Sequence, residues 1–551
     1  MTRSAPRPGR AGLWCEATIR EGMLGVSSSQ QGRPVTSKDG PTYDVVVLGA
    51  GSAGCVVAAR ASEDPGRSVL LVEAGPDYPL LHETPFDLVN SHNNSYTAHD
   101  WGFTYQPTAI GRAQPFPRGK VTGGSSAVNT TIALRGMPED YDGWAAQGNP
   151  EWAWEKVLPA FKRLERDLDF GDRPYHGDSG PISIRRYRWE ELTEVHQAWL
   201  EAAKQLGYPE CPDANDPDGW GAGPHPMNKL GRLRVSTAVG YLAPARVRPN
   251  LEIRARTLVR RLLVEGGRVA GAEVECDGEV SVIRGRLLVL SSGSLQSPAI
   301  LMRSGIGARA ELQHYGIELV RDVPAVGSNL SDHPALAIVC RAKNPSGLDA
   351  DQPIVQTILR YTAPGSDQRN DLQIEAFSFS PRGEPALNSF AIAAVLEQSY
   401  GRGRVTLASA DPNDGPVVEQ RFCEDERDTR RLAACFRDTI AFAQSRAMSE
   451  VVAQQLFPDP RRSLDDESIT DLLQRFAASG YHPSGTLKMG PASDAGAVVD
   501  QYGRAHAVEG LVVADASIMP AVPRANTNLT SIMIGEMIGE WLRTRPGTYG
   551  L

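Results

Sequence analysis

Apolar residues fall into short continuous runs near the two ends of the chain and into strand-like stretches in its middle. Residues 43–48, Tyr-Asp-Val-Val-Val-Leu, carry valines and a leucine after a single acid. A run of this kind predicts a strand buried on both faces, as in a parallel sheet. Residues 55–61, Cys-Val-Val-Ala-Ala-Arg-Ala, predict a small-residue helix able to lie close to that sheet. Residues 68–72 predict a second buried strand. Farther on, 251–264 alternate like a pair of strands, 390–396 are apolar throughout, and 510–520 read as a strand entering a turn. The last apolar stretch predicts a helix over 531–542, with Asn528 or Thr530 as its N-cap. The run Glu424-Asp425-Glu426-Arg427-Asp428 reads as a solvated helix start. No apolar run approaches the roughly 18 residues needed to span a bilayer, so no integral membrane segment is expected.

Between the first predicted strand and helix stands Gly49-Ala50-Gly51-Ser52-Ala53-Gly54, and the second strand ends at Glu73-Ala74. Gly49 allows a tight turn, Gly51 lets backbone approach a pyrophosphate, and Gly54 lets the helix lie near the strand. The helix N-terminus offers free N–H groups and a positive dipole end to phosphates. Glu73 lies 19 residues past Gly54, where a carboxylate can accept from a ribose diol and disfavours a ribose phosphate. Strand, glycines, helix, strand and acid together predict a dinucleotide site, without separating FAD from NAD.

A length of 551 residues calls for two domains or one large interleaved unit. Hydrophobic residues make up 41% and charged residues 22%, a globular balance. The net charge of −9 argues against a nucleic-acid surface, which calls for a concentrated basic face. Seven scattered cysteines, with no Cys-x-x-Cys pair, fit reduced thiols in a cytoplasmic protein. Residues 1–40, rich in Arg, Ser, Gly and Pro, predict a disordered extension.

Four later segments add a resemblance. They are Pro117 to Asn129, with Gly123-Gly124-Ser125-Ser126 at its centre; Gly293 to Gly307; Val326 to Pro334; and Tyr481 to Glu540. In this order they resemble the glucose–methanol–choline (GMC) oxidoreductase family over residues 42–545. The resemblance implies an α/β fold: a Rossmann-type FAD-binding domain interleaved with an α+β substrate-binding domain. The FAD-binding pieces would be 41–145, 233–335 and 479–551, and the substrate-binding pieces 146–232 and 336–478. Val121, Gly124 and Asn129 would run beside the flavin ring, and Val259 would offer backbone to adenine. Asp515 would bind the ribityl or pyrophosphate region, and Asn528 would lie by the pyrimidine end. Some members attach FAD through a histidine four residues before the equivalent of Lys120. Phe116 stands there, so the FAD is expected to be non-covalent.

The same resemblance places His482 and Asn526 as the catalytic pair. Alcohol oxidation must remove the hydroxyl proton and a hydride from one carbon; histidine suits the first task because its pKa lies near working pH. Asn526 supplies a neutral donor to the alcohol oxygen. The partners implied are a small alcohol and either oxygen or another electron acceptor. Hydroxynitrile lyases and light-driven fatty-acid decarboxylases share the scaffold and stand as the alternative. Leu487-Lys488 replaces a common Cys-Arg, keeping the charge without arginine's planar fork. The remaining histidines show no metal-ligand spacing, and His333 reads as a turn residue.

Overall fold

The computed structural model describes residues 35–37, 40–345, 348, 351–379 and 388–551. The predicted nucleotide-binding entry is present: β1 (Gly40–Leu48), α1 (Ser52–Ala61) and β2 (Val69–Val72) follow one another. Val45–Leu48 and Val69–Val72 are wholly buried, because the strands sit inside a sheet covered on both faces. Most of the expected extension at 1–40 lies outside the described residues, but Val35–Ser37 pairs antiparallel with Gly40–Thr42 and so lengthens the sheet.

The chain then leaves this layer for helix α2 (Trp154–Leu164) and strand β3 (Gly221–Pro224). It returns through β4 (Leu251–Arg254), β5 (Thr257–Glu265), β6 (Arg268–Cys276), β7 (Glu279–Leu290) and helix α3 (Gly293–Arg303). β1 lies between β2 and β7, all parallel, and β4 extends the parallel layer beyond β2. The pattern expected over 251–264 is therefore two strands with different roles. One is parallel in the core, and the other, β5, pairs antiparallel with β6.

A second excursion gives β8 (Pro334–Ala342), β9 (Thr357–Tyr361), β10 (Leu372–Phe377), β11 (Ser389–Leu396), helix α4 (Glu426–Gln444) and β12 (Val452–Phe457). With β3 and the short strand Ala478–Ser479 these form one antiparallel sheet, ordered β12-β8-β11-β10-β9-β3. Its residues alternate strictly. Leu336, Ile338, Phe390, Ile392, Ile374 and Ala376 pack with α4 in a second core. Ala335, Ala337, Ala391, Ala393, Gln373 and Glu375 face a cavity on the other side. Finally β13 (Leu511–Val513) joins β7 in parallel, and α5 (Thr527–Thr544) closes the fold on α1. Glycine permits that closure: a Cβ on Gly535 would stand 2.7 Å from the Ala53 carbonyl oxygen.

Trp152, Val157, Phe161, Ile182 and Ile184 belong to the core of the first sheet. Two expectations change. Asp428 is not solvated: it is buried and accepts from the Tyr400 and Gly401 backbones and from Arg431. The final helix begins earlier than predicted, with Asn526 at the N-cap position. Among the described residues no helix is long and apolar enough to cross a membrane, and the six described cysteines are all free. Cys15 lies outside the described residues.

Candidate active site

A cavity of about 530 Å³ runs from the carboxyl ends of β1 and β2 to the alternating face of the antiparallel sheet. Thirteen of the fifteen predicted site residues line it: Gly49, Gly51, Ser52, Ala53, Glu73, Ala74, Gly124, Asn129, Val259, His482, Asp515, Asn526 and Asn528. The other two stand behind the wall. Gly54 lies under the turn, where a Cβ would meet the Gly49 carbonyl oxygen at 1.9 Å. Val121 packs with Leu88, Ala127 and Val128.

At one end, two glycine loops are pressed together. Gly123 N–H donates to the Ala50 carbonyl at 2.7 Å, and a Cβ on Gly124 would lie 2.6 Å from the Gly51 Cα. Gly51 itself faces open space: its own Cβ would meet nothing nearer than the Ser291 carbonyl oxygen at 3.8 Å. Glu73 is fixed by the N–H groups of Ala50 and Gly75, at 2.9 and 2.8 Å. Burial pushes its pKa up to about 7, against those hydrogen bonds, which lower it. Asp515 accepts from Gly293 N–H, Ser297 Oγ and Ser517 N–H, so its carboxylate ties β13 to the start of α3. Asn528 Oδ1 accepts from Ser52 Oγ at 3.0 Å, while its Nδ2 is buried on the cavity wall without a partner. Beside Val259 the β5–β6 register shifts, interrupting the ladder where the strand meets the cavity.

At the other end stands a chain of rings. Asn526 Nδ2 lies 3.0 Å from His482 Nε2, His482 Nδ1 lies 2.9 Å from His333 Nδ1, and His333 Nε2 lies 3.0 Å from the Pro523 carbonyl oxygen. That carbonyl can only accept, so His333 carries its hydrogen on Nε2. A neutral His333 then accepts at Nδ1, His482 donates from Nδ1, and the lone pair of His482 Nε2 points at Asn526. Burial supports the neutral forms, lowering the pKa of His333 to about 4 and that of His482 well below 6.5. The neighbouring His333 and Arg118 lower His482 further. Backbone geometry sets the pair: Asp332 Oδ1 accepts from the N–H groups of both His333 and His482, at 2.7 and 2.9 Å. Tyr481, just before His482, is held at φ +67, and Arg118 Nη2 donates to its carbonyl.

A family model described as GMC oxidoreductase matches residues 43–335, and its C-terminal counterpart matches 399–535. The chain belongs to the GMC oxidoreductase family. It is 34% identical over 536 residues to an oxygen-dependent choline dehydrogenase of Chromohalobacter salexigens, covering 91% of this chain and 95% of the relative. It is 35% identical over 546 residues to a 5-(hydroxymethyl)furfural oxidase of Methylovorus sp., covering 91% and 99%. The solved structure of pyridoxine 4-oxidase from Mesorbium loti aligns with a TM-score of 0.84 at 28% identity, covering 91% of this chain and 99% of that one.

This GMC oxidoreductase is an FAD-dependent enzyme, and its residues fit the cofactor. Gly51 leaves open space in which a pyrophosphate would fit, Glu73 is a fixed carboxylate that would accept from a ribose, and the orphaned Nδ2 of Asn528 would take an acceptor. Phe116 is fully buried against Tyr105 and is no part of the cavity wall. Among the described residues His482 is the only histidine on that wall. The FAD is therefore expected to leave with the supernatant when the holoenzyme is denatured and filtered. Flavin absorbance retained on the precipitated chain would contradict a non-covalent site.

Sequence reasoning missed three residues. His333 is not a turn residue but the acceptor behind His482. Gln373 and Glu397 are buried polar groups on the cavity face of β10 and at the end of β11. Only their phase within the apolar alternation could have shown them. The N-cap position also differs from expectation for a reason: Asn526 makes no capping bond because its amide is turned to His482. One buried group, Glu165, Asp167 and His176, has metal-ligand spacing, but Arg135 and Arg186 already supply counter-charge there.

Proposed function

We propose that this enzyme oxidises the CH–OH group of a small alcohol, with His482 as the base and Asn526 as the donor that holds the alcohol oxygen. The observation that carries this reading is the 3.0 Å approach of Asn526 Nδ2 to His482 Nε2 on the cavity wall. A hydroxyl that reaches both, in place of their direct hydrogen bond, gives its proton to the Nε2 lone pair while Asn526 donates to its oxygen. The charge that appears on the His482 ring is met by His333 Nδ1, which accepts from His482 Nδ1–H. Flavin N5, when FAD is bound, supplies the acceptor for the hydride leaving the same carbon. Oxygen or another acceptor then takes the electrons. Names of the relatives point to choline, 5-(hydroxymethyl)furfural and pyridoxine, all small molecules.

Anaerobic mixing with a panel of small alcohols tests the reading: at least one should bleach the oxidised flavin. Bleaching by none, with turnover of a cyanohydrin or of a fatty acid under blue light, would sink it. The pH dependence adds a sign. Because the folded His482 pKa is depressed, the base stays neutral as pH falls through 6.5. Flavin reduction by a neutral alcohol should hold level past that point and drop only well below it. A limb centred at 6.5 or above would point to a different base.

A further inference from the structure

Arg118 stands on the cavity wall just ahead of the second glycine loop. Burial lowers the pKa of its guanidinium while the charge of Asp332 raises it, and an arginine stays cationic through such a shift. The guanidinium lies 4.7 Å from the centre of the Phe116 ring. Among the described residues it forms no ion pair, and its one hydrogen bond runs from Nη2 to the Tyr481 carbonyl at 2.9 Å. A buried cation directed at a single backbone oxygen calls for an explanation.

The other half of the same peptide unit supplies it. Tyr481 C=O and His482 N–H belong to one planar trans group and point in opposite directions. Arg118 holds the carbonyl, and Asp332 Oδ1 accepts from the N–H at 2.9 Å. Oδ1 also accepts from His333 N–H, and Oδ2 accepts from Gln420 Nε2 and Ser479 Oγ. Burial raises the Asp332 pKa, but these donors fill the lone pairs of the carboxylate and hold it in the charged form. The peptide dipole therefore lies with its oxygen end at a cation and its hydrogen end at an anion. Turned over, it would meet both charges with the wrong pole.

This peptide is the one that aims the base. Tyr481 sits at a left-handed φ of +67, a conformation that a residue with a Cβ leaves unless it is held. Pro483 confines ψ of His482 to the extended range, so the soft backbone torsion left to His482 is φ. Rotation about φ is rotation of the gripped peptide against the ring. We propose that Arg118 is a positioning residue for the base: with Asp332 it holds the Tyr481–His482 peptide between opposite charges and so aims the ring at Asn526 and His333. What the aimed ring does rests on the alcohol-oxidation reading.

The same cation acts on the ring's charge. Burial lowers the His482 pKa first, and His333 and Arg118 lower it further. Asp332 lies behind the backbone, and Glu397 lies beyond His333, 3.5 Å from its Nδ1. Burial pushes the Glu397 pKa up to about 8, so it is neutral through the acid range. Without the cation the imidazolium is easier to form, and the His482 pKa rises towards 6.5.

Arg118→Met and Arg118→Lys holoenzymes test this by crystal structure and by pH profile. Methionine keeps an unbranched chain without charge or donor. In Arg118→Met the 481–482 peptide should be turned and His482 Nε2 out of reach of Asn526 Nδ2. Anaerobic flavin reduction by the best alcohol should fall about ten- to a hundredfold on its high-pH plateau, as for a misplaced catalytic group, with alcohol affinity changed less. The acid limb should move up towards 6.5. Loss of the charge alone would make His482 the stronger base and leave the plateau high, and loosened packing alone would leave the limb in place. Arg118→Lys keeps a cation able to donate to the carbonyl, and should recover most of both effects. A structure of Arg118→Met with peptide and ring in place overturns the proposal. So does an unmoved acid limb, or an Arg118→Lys enzyme as slow as Arg118→Met. A turned peptide with flavin reduction unchanged leaves the grip standing and removes His482 from its role as the base. If Arg118→Met loses FAD, the structure of its apoprotein reads the peptide, and Arg118→Lys carries the pH profile.

Discussion

Substituting His482→Ala should slow anaerobic flavin reduction by the best alcohol about 10²–10⁴-fold, the range a positioned general base contributes. FAD content should stay near one per chain, because His482 touches Asn526 and His333 and holds no part of the glycine loops. The loss should appear in the reduction step more than in alcohol affinity, since proton removal belongs to the transition state. His333 gives the ring its usable tautomer, so added imidazole should restore only part of the rate: a free ring enters without a fixed orientation. A His482→Ala enzyme that reduces its flavin within a few-fold of wild type would remove the base from this mechanism.

The second large effect concerns the other end of the cavity. Gly51→Val should abolish FAD binding while leaving a folded apoprotein. Gly51 sits at φ −79 and ψ −165, extended backbone that valine adopts freely. Its Cβ would find no atom nearer than the Ser291 carbonyl oxygen at 3.8 Å, so the chain itself does not crowd a β-carbon there. The space it fills is the one the pyrophosphate needs. Gly54→Val makes the contrast, because a Cβ there strikes the Gly49 carbonyl oxygen at 1.9 Å and disrupts packing outright. Flavin absorbance per chain and the thermal midpoint of the apoprotein separate the two. Gly51→Val purified with full FAD would show that the glycine is a feature of the turn alone.

The parallel core was legible because burial on both faces leaves unbroken apolar runs, as in 43–48 and 68–72. The glycines of the first turn were legible because each has a steric task that only a missing side chain performs. His482 was readable only through resemblance, since nothing in Tyr481-His482-Pro483 announces a base. His333 was misread for a related reason. Its role depends on a ring 149 residues away in sequence, brought to 2.9 Å by Asp332 clamping both backbones. The helix start at Asn526 was missed because local capping rules assign its side chain to the backbone, whereas tertiary structure spends it on His482. Composition does not change where Trp152 and Phe161 enter the first core, so their place in it was not legible.

The strict alternation of β8, β10 and β11 has an evolutionary reading. On the cavity face, Ala337, Ala391, Ala393, Gln373 and Glu375 each have neighbours on either side in sequence that pack into the core shared with α4. Inner positions such as Ala337, Ala393 and Glu375 can therefore be exchanged without touching the residues that hold the sheet to its helix. The FAD end is carried by a different sheet, joined to this one through the loops bearing His333 and His482. New substrates can be acquired through point changes on one face of one sheet, while the redox machinery is inherited intact.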